Sequence, residues 1–143
     1  MINFFFKKNI KINQKNMLKK KIFLIAYLEK KKIYILNYIF CNNKYILNIN
    51  KKYLKKIYFT DIITFNYSNK KNIIYGDIFI SVDQVYINSK IFNVKFSKEI
   101  KRVIIHGILH LFGYNDNNKF NRKEMKYKED FYINYLKNIK ISK

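Results

Sequence analysis

The chain has 143 residues and no break in composition, which fits one domain with a single hydrophobic core. Its one cysteine, Cys41, excludes an intramolecular disulfide, and no apolar run approaches the roughly 18 residues of a membrane helix, so we expect a cytoplasmic protein without membrane or disulfide partners. The net charge of +21 favours a polyanionic partner, although Ile, Lys, Asn, Tyr and Phe, whose codons are rich in A and T, supply 100 residues and part of that charge.

The first half of the chain alternates β-branched and aromatic runs with segments of helical periodicity. Leu18, Ile22, Ile25 and Leu28 recur at helical spacing, and Asn42-Asn43 is a plausible turn pair. The predicted elements are a strand at residues 2–12, a helix at 13–31, a strand at 32–41, a helix to about residue 54, and strands at 61–67 and 74–82.

The second half is helical from Asp83 onward. Ser97 is a candidate helix cap, with Glu99 in the first turn, where a carboxylate favours the positive end of the helix dipole. Apolar residues at 100–112 cover most of the helix circumference, which predicts a largely buried helix that ends at Gly113. A final helix is predicted at about residues 121–137, with Asn121 as its cap.

Three polar residues interrupt the buried helix on one narrow stripe. Arg102, His106 and His110 fall within roughly 80° of one another at about 100° per residue. The two histidines are the only ones in the chain, and their spacing of four places both imidazoles on one face. Asp116 can fold back toward them after Gly113. Two imidazoles and a carboxylate would hold a divalent metal, zinc above all, and leave one position open for a water of lowered pKa.

The residues alone leave other interpretations open. The histidine spacing by itself favours ordinary core or surface histidines, and an aspartate in Asn-Asp-Asn-Asn is typical of a turn. For Asp61 and Asp77, local hydrogen bonding at a strand start or turn is favoured. Gly107 occupies the position of the glutamate base in His-Glu-x-x-His, so the common zinc-protease signature is absent. The lysines of residues 51–56 are typical of a solvated face as well as of phosphate contact.

Three motifs occur in order along the chain: T-D-I-I-T-F at residues 60–65, G-D-I at 76–78 and H-G-I-L-H-L-F-G-Y at 106–114. Together they resemble the motifs of the bacterial YbeY family. The resemblance covers most of the chain and implies a single α+β domain over residues 1–143. It also implies a small mixed four-stranded sheet, about five helices, and a metal site on a buried helix and the turn after it.

The resemblance further implies a metal-dependent endoribonuclease that cuts single-stranded RNA. Its role would lie in maturation of the 3′ end of 16S rRNA and in ribosome quality control, with rRNA and ribosomal particles as partners. One zinc ion would be held by His106, His110 and Asp116. The metal-bound water would carry the chemistry, and no protein base is assigned.

Two positions depart from the family pattern. Asp116 stands where the better-known pattern has histidine, which makes the site less positive by one charge and its water less acidic. Leu54 stands where the family often carries an arginine shortly before Thr-Asp, and Lys55 or Lys56 would replace that guanidinium only as a point charge. The residues expected to bind RNA are Lys51, Lys52, Lys55, Lys56 and Arg102.

The missing arginine also keeps a second interpretation open, a non-catalytic ribosome-associated RNA-binding factor that retains the metal site. A third is a metallohydrolase acting on another substrate, such as a different phosphoester or a peptide. Metal content and RNA cleavage separate the three.

Overall fold

The computed structural model of this protein describes residues 1–54 and 60–143, which form a four-stranded sheet, five α-helices and a two-stranded ribbon. The strands are β1 (Ile2–Phe6), β2 (Lys11–Ile12), β3 (Lys32–Cys41), β4 (Ile62–Asn66), β5 (Ile73–Ser81) and β6 (Ile141–Ser142). The α-helices are α1 (Lys15–Leu28), α2 (Asn43–Ile49), α3 (Val82–Ile91), α4 (Phe96–Phe112) and α5 (Lys119–Ile133). A π-helical turn at Asn50–Leu54 extends α2, and a 3-10 turn at Asn134–Leu136 extends α5.

The main sheet is mixed, with the strand order β1-β3-β5-β4. Strands β1, β3 and β5 are parallel, and β4 pairs antiparallel with β5. The two central strands, β3 and β5, are long runs rich in Ile, Tyr and Phe. Burial alternates along much of each strand and becomes continuous at its end, so one face of the sheet is covered and the other is partly open. The predicted α+β class and mixed four-stranded sheet are confirmed.

The helices divide between the two faces of the sheet. Helices α1 and α4 cover one face, and their apolar residues form the main core with the sheet. Tyr38 of β3 is fully buried there and donates a hydrogen bond from its hydroxyl to the carbonyl oxygen of Ile104 in α4 at 2.9 Å. Helix α2 covers part of the opposite face, where Ile46 packs with Cys41 and Ile63.

Helix α4 lies unusually close to the sheet at Gly107. A Cβ atom at this position would lie 2.8 Å from Cδ1 of Ile62 and 2.9 Å from Cγ2 of Ile78. A larger residue here would force these side chains apart, so the glycine sets the helix-to-sheet distance. His106 and His110 lie about 60–100° around the helix from Gly107, and each is about a quarter exposed. The helix is otherwise largely buried, as predicted.

The predicted strand at residues 2–12 is wrong in extent, because the chain leaves the main sheet after β1. The backbone N–H groups of Lys7 and Lys8 both donate to the carbonyl oxygen of Phe40, at 2.8 and 3.1 Å, which ends the regular ladder. Residues 11–12 then pair with β6 at the far end of the chain. The partner of this short strand is too distant in sequence for local pattern to indicate.

Two predicted helix caps are also wrong. Helix α4 begins two residues earlier than expected, with Lys95 at the cap position, and the Ser97 hydroxyl instead accepts a hydrogen bond from the backbone N–H of Ile141 at 3.1 Å. Helix α5 is capped by Asn118, whose side chain accepts from the backbone N–H of Asn121 at 2.8 Å. Asn121 therefore lies within the first turn and does not cap it.

Cys41 is fully buried, and burial raises the pKa of its thiol to about 12. Within residues 1–54 and 60–143, no helix has both the length and the apolar character needed to cross a bilayer.

Candidate metal centre

The three predicted ligands lie together at the end of α4. The Nε2 atoms of His106 and His110 are 3.0 Å apart, and each lies 3.8 Å from Oδ2 of Asp116. All three candidate ligand atoms lie within 4.8 Å of one another. The Asp116 side chain is 46% exposed, so the cluster opens to solvent on the aspartate side.

The local sequence explains this convergence. His106 and His110 are one helical turn apart on α4, so their rings face the same side. Helix α4 ends at Gly113, whose φ of 111° is in the left-handed region that glycine adopts without a Cβ penalty. The N–H of Gly113 donates to the carbonyl of His110 at 3.0 Å, and the chain then turns back, placing Asp116 beside the rings.

This donor set fits a divalent metal ion of the zinc type. Ligand atoms that surround a tetrahedral zinc at about 2.0–2.2 Å lie about 3.3–3.6 Å from one another. The separations of 3.0 and 3.8 Å between these three atoms bracket that range. Two imidazole nitrogens and a carboxylate oxygen are also ligands that zinc accepts, and three protein ligands leave a fourth position open.

A fourth residue, Glu129 of α5, supports the centre and was missed by the sequence analysis. Its Oε2 lies 2.5 Å from Nδ1 of His106, so the carboxylate accepts the proton of Nδ1 and leaves Nε2 directed at the cluster. Tautomer and ring orientation are both fixed by such a contact. A signal existed in the sequence, because Met125, Glu129 and Tyr132 form the buried stripe of α5 and an acid on an apolar stripe indicates a buried partner.

Arg102 holds the other side of this carboxylate. Its Nη1 donates to Oε1 of Glu129 at 3.0 Å, and its Nη2 donates to Oδ1 of Asp130 at 2.8 Å. The guanidinium therefore links α4 to α5 through two ion pairs, next to the contact between Glu129 and His106. All three members of the predicted polar stripe thus face α5 or the turn that precedes it.

The two histidines differ in their proton affinity. Burial disfavours the charged form of His106, but the hydrogen bond and negative charge of Glu129 outweigh burial and raise its pKa. Burial and the neighbouring charge of His106 lower the pKa of His110. Glu129 and Asp116 supply the negative charge that a bound cation would balance.

Comparison with known proteins identifies the family. A sequence model described as Endoribonuclease YbeY matches residues 3–137. This chain belongs to the YbeY family. The family predicted from the three motifs is confirmed.

Several relatives of known name support this membership. The chain is 44% identical over 137 residues to the endoribonuclease YbeY of Karelsulcia muelleri strain GWSS, covering 96% of both chains. It is 50% identical over 82 residues to that of Flavobacterium johnsoniae, covering 57% of this chain and 58% of the relative. A Thermotoga maritima protein solved in solution shares 29% identity, with a TM-score of 0.69, and the match covers 95% of this chain and 89% of that protein.

The two upstream YbeY motifs have different places in the structure. Asp61, from the Thr-Asp motif, is partly buried, and burial raises its pKa while the charge of His106 opposes that rise, so this carboxyl lies in the electrostatic environment of the centre. Asp77, from Gly-Asp-Ile, accepts hydrogen bonds from Asn37 at 2.9 Å and Tyr67 at 2.8 Å. Asp77 lies in the middle of β5 and bonds residues 40 and 10 positions away, so the predicted local hydrogen bonding at a strand start or turn is wrong for this residue.

The residues expected to bind RNA are not all in one place. Arg102 lies beside the centre, where it pairs with Glu129 and Asp130. Lys51 and Lys52 are exposed on the π-helical turn after α2, the helix on the opposite face of the sheet from α4. Lys55 and Lys56 lie outside the described residues. Contact of these residues with RNA stays a prediction.

Proposed function

We propose that this protein is a zinc-dependent endoribonuclease that cuts single-stranded RNA. Its proposed role is maturation of the 3′ end of 16S rRNA and ribosome quality control in the cytoplasm. The observation that carries the proposal is the convergence of three ligand atoms, with separations of 3.0, 3.8 and 3.8 Å, in a chain whose relatives are named endoribonucleases.

The chain's own residues define what the centre can do. His106, His110 and Asp116 would hold the ion, and Glu129 fixes the tautomer that presents Nε2 of His106. When bound, a zinc ion supplies a Lewis acid that can acidify water and polarise a phosphoryl oxygen. The Asp116 side chain is 46% exposed, so an extended RNA strand has room to approach the centre from that side.

A protein base at the protease position is excluded by packing. Residue 107 faces the sheet, where even a Cβ atom would crowd Ile62 and Ile78, so no glutamate side chain fits there. This favours a phosphodiester substrate over a peptide bond cleaved in the manner of His-Glu-x-x-His enzymes. The net charge of +21 supports rRNA and ribosomal particles as partners, since both are polyanionic.

The test is zinc content and RNA cleavage before and after His110→Ala. We expect about one zinc ion per chain and cleavage of a single-stranded RNA, with a duplex of the same sequence left intact. The variant should lose most of the metal and the cleavage, because two protein ligands hold zinc poorly. Asn69→Ala, an exposed residue between β4 and β5, is the control and should retain both. Unchanged zinc in His110→Ala would refute the assigned centre.

A second candidate function is favoured by one observation, the leucine at position 54. Leu54 is 40% exposed and supplies no guanidinium where the family often has one. A protein that loads zinc and binds rRNA without cutting it would be a ribosome-associated factor that retains the metal site.

A further inference from the structure

A cleft of about 570 Å³ adjoins the metal centre between α4, α5 and the residues that follow α3. His106 and Asp116 are among the residues that line it. Of the described residues that line it, four carry a permanent positive charge: Lys98, Arg102, Arg122 and Lys126. The exposed ring of Phe92 forms an apolar part of the wall.

The distribution of arginine singles out this cleft. The chain has 28 lysines and only two arginines, Arg102 and Arg122, and both line the cleft. Chance placement among 30 cationic positions would put both arginines among these four about once in seventy. Lysine supplies a point charge, whereas arginine supplies a planar fork of hydrogen-bond donors. In a chain with so few arginines, we expect arginine at the positions where that fork is needed.

The two guanidinium groups differ in the contacts they make. Arg102 is engaged by Glu129 at 3.0 Å and Asp130 at 2.8 Å, so its fork is occupied by carboxylates. Arg122 is exposed, and within residues 1–54 and 60–143 it makes one long contact, from Nη1 to the backbone carbonyl oxygen of Asp116 at 3.5 Å. That contact places the Arg122 guanidinium beside a ligand of the metal centre while most of its donors remain available.

We propose that this cleft is a subsite for a nucleotide flanking the scissile bond, with Arg122 binding its phosphate and Phe92 stacking on its base. This inference rests on the proposed function, and it adds where on the protein surface a nucleotide of the RNA substrate binds. A guanidinium matches two phosphate oxygens at once, and an exposed aromatic ring accepts any unpaired base. A base must be unstacked to enter, which gives the cleft a physical reason to select single-stranded RNA.

The test measures binding of zinc-loaded protein to a single-stranded 2′-O-methyl RNA by fluorescence anisotropy over a series of salt concentrations. A gel confirms that the oligonucleotide stays intact. The variants are Arg122→Gln and Arg122→Lys. Lys123→Gln is the matched control, because it removes the same charge from the neighbouring exposed residue, which is not among the residues that line the cleft.

We expect Arg122→Gln to weaken binding about tenfold and to reduce the salt slope by about 0.7, the value for one lost phosphate contact with a single strand. Arg122→Lys should keep the slope and lose part of the affinity, since an ammonium lacks the fork. Phe92→Ala should weaken binding about fivefold or more at an unchanged slope. Lys123→Gln should stay within about twofold of the wild type.

Two results would overturn the inference. One is an effect of Arg122→Gln no larger than that of Lys123→Gln. The other is a parallel fall in zinc affinity, which would mean that Arg122 acts by positioning Asp116. Failure of the wild type to cut RNA with zinc bound would instead refute the proposed catalytic function, and an Arg122-dependent RNA affinity would still support the subsite.

Discussion

Two glutamates, Glu129 and Glu29, occupy similar surroundings in different regions of the molecule. The Glu129 side chain is 10% exposed and contacts His106 and Arg102. The Glu29 side chain is 9% exposed and accepts hydrogen bonds from the hydroxyls of Tyr114 and Tyr132 and from Nζ of Lys128 at 3.0 Å. Each carboxylate joins elements that are distant in sequence.

The partners decide what each glutamate does. His106 has a second nitrogen that faces the candidate centre, so a change at Glu129 is expected to affect a candidate metal ligand. The partners of Glu29 are two tyrosines and a lysine outside the ligand set, and they join the end of α1 to α5 and to the turn after α4. A largely buried, hydrogen-bonded glutamate therefore orients a candidate metal ligand in one region, and in the other it holds elements of the fold together.

The largest expected effect is that of Glu129→Ala on the metal. Loss of the carboxylate leaves the His106 tautomer unfixed, and zinc affinity should fall about 10- to 100-fold. A competition titration against a zinc chelator measures this change. Glu124→Ala, an exposed carboxylate on the same helix, is the matched control and should bind zinc as the wild type does. Equal zinc affinities for the wild type, Glu129→Ala and Glu124→Ala would mean that Glu129, like Glu29, has no effect on the metal.

The next effect is on stability, in Glu29→Gln. The amide keeps the size of the side chain but loses charge-assisted hydrogen bonds, so the free energy of unfolding should fall by about 1.5–2 kcal/mol. Urea unfolding at neutral pH gives this value. Zinc affinity should stay within about twofold of the wild type. A large fall in zinc affinity would show that Glu29 also acts on the candidate centre, through Tyr114, as Glu129 does through His106.

Arg102→Leu tests how far the Glu129 contact depends on its second partner. The variant releases Oε1 of Glu129 and leaves the bond from Oε2 to His106 in place, so zinc affinity should fall about three- to tenfold, less than in Glu129→Ala. The same chelator competition measures it. A loss equal to that of Glu129→Ala would mean that the carboxylate cannot hold His106 without the guanidinium.

The smallest expected effect is a change with pH in the stability that Glu29 contributes. Burial opposes ionisation of this group, but hydrogen bonds from Tyr114, Tyr132 and Lys128 outweigh it and lower the pKa below its usual 4.5. A lowered pKa in the folded state gives stability that is fully present above 4.5 and lost as the pH falls through the folded value.

The stability difference between the wild type and Glu29→Gln should therefore shrink below about pH 4.5. Urea unfolding of both proteins at a series of pH values from about 6 to about 3 measures it. A difference that is constant across this range would show that the Glu29 charge contributes nothing to the stabilisation.

Much of the candidate centre could be predicted because its geometry is local. His106 and His110 are one helical turn apart, and Gly113 needs only its own left-handed conformation to end the helix and turn the chain toward Asp116. The sheet, too, followed from runs of β-branched and aromatic residues. By contrast, the cap at Ser97 was wrong because a backbone N–H from Ile141, 44 residues away, takes that hydroxyl.

The sequence by itself determined the family and, through that resemblance, the α+β class, because three specific motifs occur in order. It also determined the three candidate ligands, because His106, His110 and Asp116 lie within one helix and the turn after it. Only the tertiary structure decided which carboxylate orients His106. It also decided that, among the described residues, Glu129 and Asp130 engage Arg102 while Arg122 stays exposed. Glu129 lies 23 residues from His106, and Arg102 lies 28 from Asp130. Such partners are set by how α5 packs on α4, which no local pattern in either helix specifies.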